Sequence, residues 1–293
     1  MKVVSFMKNP PLFVLAIALF ARLAGLAYAG SATNVTGLYY TGVDNTGTVL
    51  AGGTTDSHWA VTYARVNGVN YTGNSTYTGA SYVLSPTYID AAYVANSSTS
   101  KWITAPGAST AATGGTVNVG GDYLPGNGTT GTNRAQYVYQ LAFTITGTGS
   151  GTVSNQVSIS LTLAADDQYS VYVNPTLNAN GSVNTASTLG GSRTAAWSNT
   201  SALYLQNFTD ANGSANANFV IGTNYIYVVV DNTNSVTGTS GATALNPGGL
   251  LVYQVGSATT IDGKPVPEVG TILPMVAALG LFGWRGWRRR TAS

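Results

Sequence analysis

The chain has 293 residues, with 12 lysines and arginines, 10 aspartates and glutamates, one histidine and no cysteine. The lack of cysteine excludes disulfides, thiol catalysis and zinc–thiolate sites. Residues 30–265 contain five basic residues and nine aspartates, so this portion has a net charge of about −4. Such a charge-poor, mildly acidic portion lacks the clustered lysines and arginines that neutralise phosphates, so we expect no nucleic-acid partner.

The N-terminal residues have the layout of a secretory signal peptide. Lys2 and Lys8 precede an apolar run from Leu12 to Ala21, and Ala27-Tyr28-Ala29 has the small-residue pattern of a cleavage site. The apolar run is shorter than the about 20 residues that a membrane-spanning helix needs. We therefore predict that residues 1–29 form a signal helix that is removed after Ala29.

The region from residue 30 to residue 258 is predicted to consist of short antiparallel strands. In residues 135–146 one face carries Tyr137, Tyr139, Leu141, Phe143 and Ile145, and the other carries Gln136, Gln140, Thr144 and Thr146. Residues 157–164 alternate in the same way. A period of two with one apolar face indicates a half-buried strand. Further segments rich in β-branched and aromatic residues predict strands in HWAVTYARV, YSVYV, ALYLQNF, YIYVVVD and LLVYQV.

Many short strands separated by turn residues favour an all-β fold, an antiparallel β-sandwich or jelly roll. Residues 105–133 contain few apolar residues and are predicted to be a long loop or a break between two halves of this body. We predict four segments: the signal helix, the sandwich body, a linker at residues 259–265, and a C-terminal hydrophobic helix within residues 266–293.

Residues that could carry chemistry in the body are few. Asp56 and His58 could face the same way on an extended segment, but a hydrolase triad also needs a placed serine, and no G-x-S-x-G motif is present. Asp166 and Asp167 are candidate calcium ligands, with plain Asx turns as the alternative. As a glycosidase pair they are unpromising, because adjacent strand residues point to opposite faces. We therefore predict a protein that is not an enzyme and has no required cofactor.

The body contains three tryptophans, Trp59, Trp102 and Trp197. Exposed aromatic rings stack on sugars, so these residues are candidate glycan contacts. A sandwich also needs aromatic residues in its core, and burial is the alternative for each tryptophan.

The C-terminal segment combines three features in a fixed order. Val266-Pro267-Glu268 is followed by an apolar segment from Ile272 to Trp284, and Arg288, Arg289 and Arg290 lie close to the end. This layout resembles the PEP-CTERM sorting signal of bacterial exosortase substrates, although the third position of the usual Pro-Glu-Pro motif is Val269 here.

The resemblance implies an exosortase-type membrane protease as a partner. The apolar segment would insert transiently in the inner membrane with the arginines on the cytoplasmic side, and cleavage would occur near Glu268. The protein is then expected in the cell envelope or extracellular matrix of a bacterium. A permanent single-span anchor is the alternative.

A second resemblance covers the later part of the body. Residues 161–174 and 219–232 are similar to the strands and turns of galactose-binding-like jelly rolls, although Pro175 replaces the usual glycine after Asn174. Fold alone does not determine function. From the sorting signals and the hydroxyl- and amide-rich composition, we expect a non-catalytic surface protein associated with exopolysaccharide. A matrix-acting glycan hydrolase and a purely structural surface-layer subunit remain alternatives.

Overall fold

The computed structural model describes residues 30–66, 69–73, 77–84, 89, 93–106, 135–194, 196–209, 211–232 and 249–258. The chain divides into two units, Met1–Thr259 and Thr260–Ser293, and the described residues all belong to the first. The predicted signal helix, the linker, the C-terminal helix and most of the predicted 105–133 loop lie outside the described residues. Within the described ranges we find no helix with the length and apolarity needed to cross a bilayer.

The described part is built from β-strands, as the sequence predicts. The twelve strands are β1 Ser31–Thr36, β2 Thr55–Val66, β3 Val69–Tyr71, β4 Gly79–Val83, β5 Ile103–Thr104, β6 Ala135–Thr148, β7 Ser158–Asp166, β8 Gln168–Val173, β9 Leu189–Arg193, β10 Ser201–Gln206, β11 Gly222–Asn232 and β12 Gly249–Ala258. All seven segments predicted as strands lie on β2, β6, β7, β8, β10, β11 and β12. The strands that the sequence does not predict, β1, β3, β4, β5 and β9, are all short, with two to six residues.

All twelve strands belong to one antiparallel sheet. The order along it is β10-β7-β12-β5-β4-β2-β6-β11-β8-β9, with β1 paired to β6 and β3 paired to β2. The sheet curls until its end strands, β9 and β10, lie near each other, which gives a nearly closed, sandwich-like body. An all-β antiparallel fold is therefore confirmed, with one continuous sheet where the sequence suggests two separate ones.

The core lies inside this curled sheet, on the face that the alternation predicts. Tyr137, Tyr139, Leu141, Phe143 and Ile145 of β6 are all buried there. They pack with the inward residues of neighbouring strands, which include Ile159, Leu161 and Leu163 of β7 and Ile226, Val228 and Val230 of β11. Because apolar burial is the main favourable term in folding, this interior holds the curled sheet together.

A second apolar cluster lies on the outer face of the same sheet. It joins β2, β6, β8 and β11 to a loop, residues 174–187, that connects β8 to β9; we refer to this segment as the covering loop. The cluster consists of Tyr63, Val138, Tyr172, Val183, Tyr227 and Val229. Val183 belongs to the covering loop, so its burial packs the loop onto the outer face.

The two end strands of the sheet are joined by one side chain. Asn216 donates hydrogen bonds from Nδ2 to the carbonyl oxygens of Gly190 in β9, at 2.8 Å, and Tyr204 in β10, at 2.7 Å. A Cβ atom added at Gly190 would lie 2.5 Å from Leu205 Cδ2, so the two strands can approach this closely only because position 190 carries no side chain.

Candidate functional site

The outer face of the sheet carries a cleft of about 410 Å³ beside the covering loop. Its residues come from the β2–β3 hairpin, from β6, β8 and β11, and from the covering loop. The lining consists of Tyr63, Arg65, Asn70, Gln136, Ser170, Tyr172, Asn178, Asn180, Ser182, Val183, Thr185, Val229 and Asp231. Most of these side chains are hydroxyls and amides, with one cation and one carboxylate among them.

The floor of the cleft is ordered by strand register. Arg65 of β2 is opposite Gln136 of β6, Gln136 is opposite Asp231 of β11, and Asp231 is opposite Gln168 of β8. These four residues therefore form one row across four neighbouring strands. Gln136 Nε2 donates to Asp231 Oδ1 at 2.9 Å, which holds both side chains in place.

The β2–β3 hairpin and the covering loop form the two walls of the cleft, and they meet at their tips. Thr72, just after β3, donates a hydrogen bond from Oγ1 to the carbonyl oxygen of Asn180 in the covering loop, at 2.5 Å. The next loop residue, Gly181, has a φ of +84°, and a Cβ atom there would lie 2.9 Å from Thr72 Oγ1. This left-handed conformation and close approach both favour glycine. The covering loop therefore reaches from β8 to the hairpin on the other side of the cleft.

The tyrosines of the cleft present neutral hydroxyl groups. Burial raises the pKa of the Tyr63 phenol and of the Tyr172 phenol. Tyr63 donates to Asn70 Oδ1 at 2.6 Å, and the Tyr172 hydroxyl is hydrogen-bonded to Ser170. Their ring faces are largely buried, so they present polar edges and leave little aromatic surface for stacking.

The lining offers a hydroxyl-rich ligand both hydrogen-bond donors and acceptors. Amides, hydroxyls and carboxylates that are held by the fold provide directional donors and acceptors with little ordering cost on binding. Hydrolysis of a glycosidic bond ordinarily uses two carboxyl groups, and Asp231 is the one carboxylate among the residues that line this cleft.

The structure separates the three tryptophans proposed as glycan contacts. Trp59 and Trp102 are 0% and 1% exposed, and their indole nitrogens donate to the carbonyl oxygens of Tyr39 and Val94. Neither ring has a face open to a sugar in this structure, and both are core residues, the alternative raised from the sequence. Trp197 is partly exposed, but it does not line the cleft. Its role in glycan binding stays a prediction.

Asp56 and His58 do not form a catalytic pair. The buried Asp56 carboxylate accepts hydrogen bonds from the backbone N–H groups of Gly42 at 2.7 Å, His58 at 2.8 Å and Trp59 at 3.2 Å. The His58 ring stacks on Tyr39, with a centroid separation of 3.5 Å. The carboxylate thus fixes the local backbone, while the imidazole packs against a phenol ring.

The candidate calcium ligands lie where β7 turns into β8. Asp166 is buried, whereas Asp167 is partly exposed and uses its backbone N–H and carbonyl groups to bond Asp231 and Ala196. In the described part of the chain, no three histidine or acidic side chains are grouped closely enough to hold a metal ion. Calcium binding at Asp166 and Asp167 therefore stays a prediction.

The sorting residues, Val266 to Glu268 and Arg288 to Arg290, lie outside the described residues. The chain matches no known family model, no curated protein and no solved structure. The cleft was not predicted from the sequence, because its floor consists of ordinary outward-facing strand residues that are far apart along the chain.

Proposed function

We propose that this protein is a secreted, non-catalytic surface or matrix protein that binds exopolysaccharide through the cleft on its outer face. The observation that carries the proposal is the composition of that cleft, in which hydroxyls, amides, Arg65 and Asp231 line about 410 Å³. Such a lining matches the hydroxyl groups of a glycan. We retain the galactose-binding-like jelly roll as part of this proposal, since β8 and β11, which carry the resemblance, are neighbours in the sheet and supply the floor.

Binding is tested by pull-down and calorimetry with the exopolysaccharide of the source cells. We expect Asp231→Asn and Asn178→Ala to weaken binding about tenfold each, because the first replaces an acceptor oxygen with an amide donor and the second removes an amide, and a polar contact of this kind is worth roughly 1.4 kcal/mol. Asn199→Ala is the matched control, since Asn199 is exposed and lies outside the cleft. Absence of binding with and without calcium would overturn the proposal.

Delivery to the surface rests on the two terminal segments of the sequence. We propose cleavage after Ala29 and again near Glu268 by an exosortase-type membrane protease, with the precursor held in the inner membrane through Ile272 to Trp284. Intact mass of the protein recovered from the cell surface or medium tests this. A mature species that still ends at Ser293 would contradict sorting and leave a permanent anchor.

The two alternatives give different results in the same preparation. A matrix-acting hydrolase would release sugar from the exopolysaccharide, and Asp166→Asn or Asp56→Asn would abolish that release. A structural surface-layer subunit would assemble by itself at high concentration without added glycan.

A further inference from the structure

The cleft contains one cationic side chain, and its hydrogen-bonding capacity is unused within the described residues. Arg65 is exposed at the cleft, and among the described residues its guanidinium has no hydrogen-bond or ion-pair partner, although it carries five N–H donors. Other polar side chains of the lining have partners within the fold: Tyr63 with Asn70, Tyr172 with Ser170, Gln136 with Asp231, and Asn178 and Asn180 with Ser182.

The nearest obvious partner for Arg65 is engaged elsewhere. Asp231 lies in the same cross-strand row, but β6 lies between their two strands. Since adjacent strands are about 4.8 Å apart, the two backbones are separated by about 10 Å at this row. Gln136, which stands between them, donates to the Asp231 carboxylate. Within the described part of the chain, the fold thus holds the acid on the far side of the cleft and gives the guanidinium no ion-pair partner.

We infer that the glycan bound in this cleft carries a carboxylate, as a uronic acid residue does, and that Arg65 binds this group. The inference rests on the proposed function. A guanidinium presents parallel N–H groups that match the two oxygens of a carboxylate, and such paired, charge-assisted bonds are stronger than neutral ones. The partnered amides and hydroxyls of the lining then contact the neutral hydroxyls of the sugar ring.

The charge around the cleft limits how acidic this glycan is. Residues 30–265 carry a net charge of about −4, and Asp231 adds a negative charge inside the cleft itself. A densely charged polyanion would be repelled by this body, whereas a polymer with occasional carboxylates presents one charge to Arg65 and neutral hydroxyls to the remaining lining. The expected ligand is a sparsely acidic polysaccharide.

A matched pair of ligands tests the inference. The source cells' exopolysaccharide is compared with the same polymer after chemical reduction of its carboxyl groups to alcohols. The intact protein should bind the reduced polymer at least tenfold more weakly than the native one. Arg65→Gln should bind the two polymers equally, and Arg65→Lys should recover part of the preference, because it keeps the charge but loses the paired geometry.

Arg193→Gln serves as the control variant, because Arg193 lies outside the cleft and donates to the carbonyl oxygens of Asn199 and Thr200. It should keep the wild-type preference. Equal wild-type affinity for both polymers, with binding still weakened in Asn178→Ala, would overturn the carboxylate inference while the proposed function stands. Binding of neither polymer would overturn both. Unfolding curves of each variant identify any loss of binding that is due to misfolding.

Discussion

Two hairpins of this protein share one local structure but are attached to the body in different ways. In residues 43–49, the N–H of Asp44 bonds to the Thr48 carbonyl and that of Gly47 to the Asp44 carbonyl. In residues 177–183, at the tip of the covering loop, Asn178, Ser182 and Gly181 form the same two bonds. The glycine has a φ of +80° in the first hairpin and +84° in the second.

The difference lies in where each hairpin is held. The first hairpin is held at its base, where the Gly42 N–H donates to Asp56 and Lys101 Nζ donates to the Leu50 carbonyl. The second is held at its tip, through the contact of Thr72 with Asn180, and through the buried Val183. The same five-residue turn is therefore an exposed surface loop in one place and the wall of a cleft in the other. The contacts that flank a turn, rather than the turn itself, therefore determine whether it is a surface loop or a cleft wall.

The largest effect is expected from breaking the base of the first hairpin. In Asp56, one carboxylate oxygen accepts from Gly42 and the other accepts from His58 and Trp59. Asp56→Asn keeps one acceptor but directs an NH₂ group at a buried N–H donor, in either orientation of the amide. We expect a loss of about 1–3 kcal/mol in the free energy of unfolding, measured by denaturant titration.

The control for this change is Asp44→Asn within the same hairpin. One oxygen, Oδ1, accepts all three hydrogen bonds that reach the Asp44 side chain, from the N–H and hydroxyl of Thr46 and the N–H of Thr48. An asparagine keeps that oxygen and loses only the charge, so its loss at neutral pH should be much smaller than that of Asp56→Asn. A loss as large as that of Asp56→Asn would contradict the assignment of the anchor to Asp56.

The paired glycines provide the next test. An alanine at Gly47 meets no atom within 4 Å, so Gly47→Ala should cost only the left-handed strain of about 1 kcal/mol. Gly181→Ala carries the same strain and must also displace Thr72, and we expect about 2 kcal/mol. Thermal unfolding measures both variants.

The two alanine variants should also differ in their affinity for exopolysaccharide. Gly181→Ala should weaken exopolysaccharide binding several-fold, because the two walls of the cleft separate, whereas Gly47→Ala should bind as the wild type does. If the two alanine variants bind equally well, the tip contact with Thr72 does not shape the cleft.

The smallest expected effect is on how the free energy of unfolding depends on pH. Hydrogen bonds from Thr46 and Thr48 lower the pKa of Asp44 below its usual 3.8, so the folded state holds this proton less tightly than the unfolded chain does. The contribution of Asp44 to stability is therefore lost as the pH falls below 3.8. Burial raises the pKa of Asp56 above 3.8, so its contribution decreases as the pH rises from 3.8 through that raised value.

The two aspartates should thus produce opposite slopes in a plot of unfolding free energy against pH. Asp44→Asn should flatten the slope below pH 3.8, and Asp56→Asn should flatten the slope above pH 3.8. Denaturant titrations between about pH 2.5 and 6 measure both slopes. Unchanged slopes in both variants would show that other groups control the acid response.

Much of the fold could be predicted from the sequence because alternation reports which face of a strand is buried. The five apolar residues of β6 from Tyr137 to Ile145 all point into the core, as their spacing predicts. Val138 breaks the pattern, since it is buried on the opposite face. Its burial depends on Val183 of the covering loop, 45 positions along the chain, and no local period carries that information.

The candidate site could not be predicted for a related reason. Arg65, Gln136 and Asp231 become neighbours only through the strand order β2-β6-β11, which joins strands from distant parts of the chain. The sequence does not predict β5, because two residues are too few to show a period, or β9, because its glycines and serine also suit turns. The sequence makes each tryptophan a candidate glycan contact because of its ring. A large apolar ring is most stable in a core, however, and Trp59 and Trp102 lie in the core.

The hydrogen bonds that Asn216 donates to β9 and β10 also affect how this sheet can meet other chains. An open sheet ends in two rows of unpaired N–H and C=O groups, which other chains can use as a template for strand addition. Here the two rows face each other, and a single amide occupies a carbonyl group on each. The place where β9 and β10 meet therefore offers another chain less free edge for strand pairing than an open sheet would, and the Asn216 amide contributes to that closure.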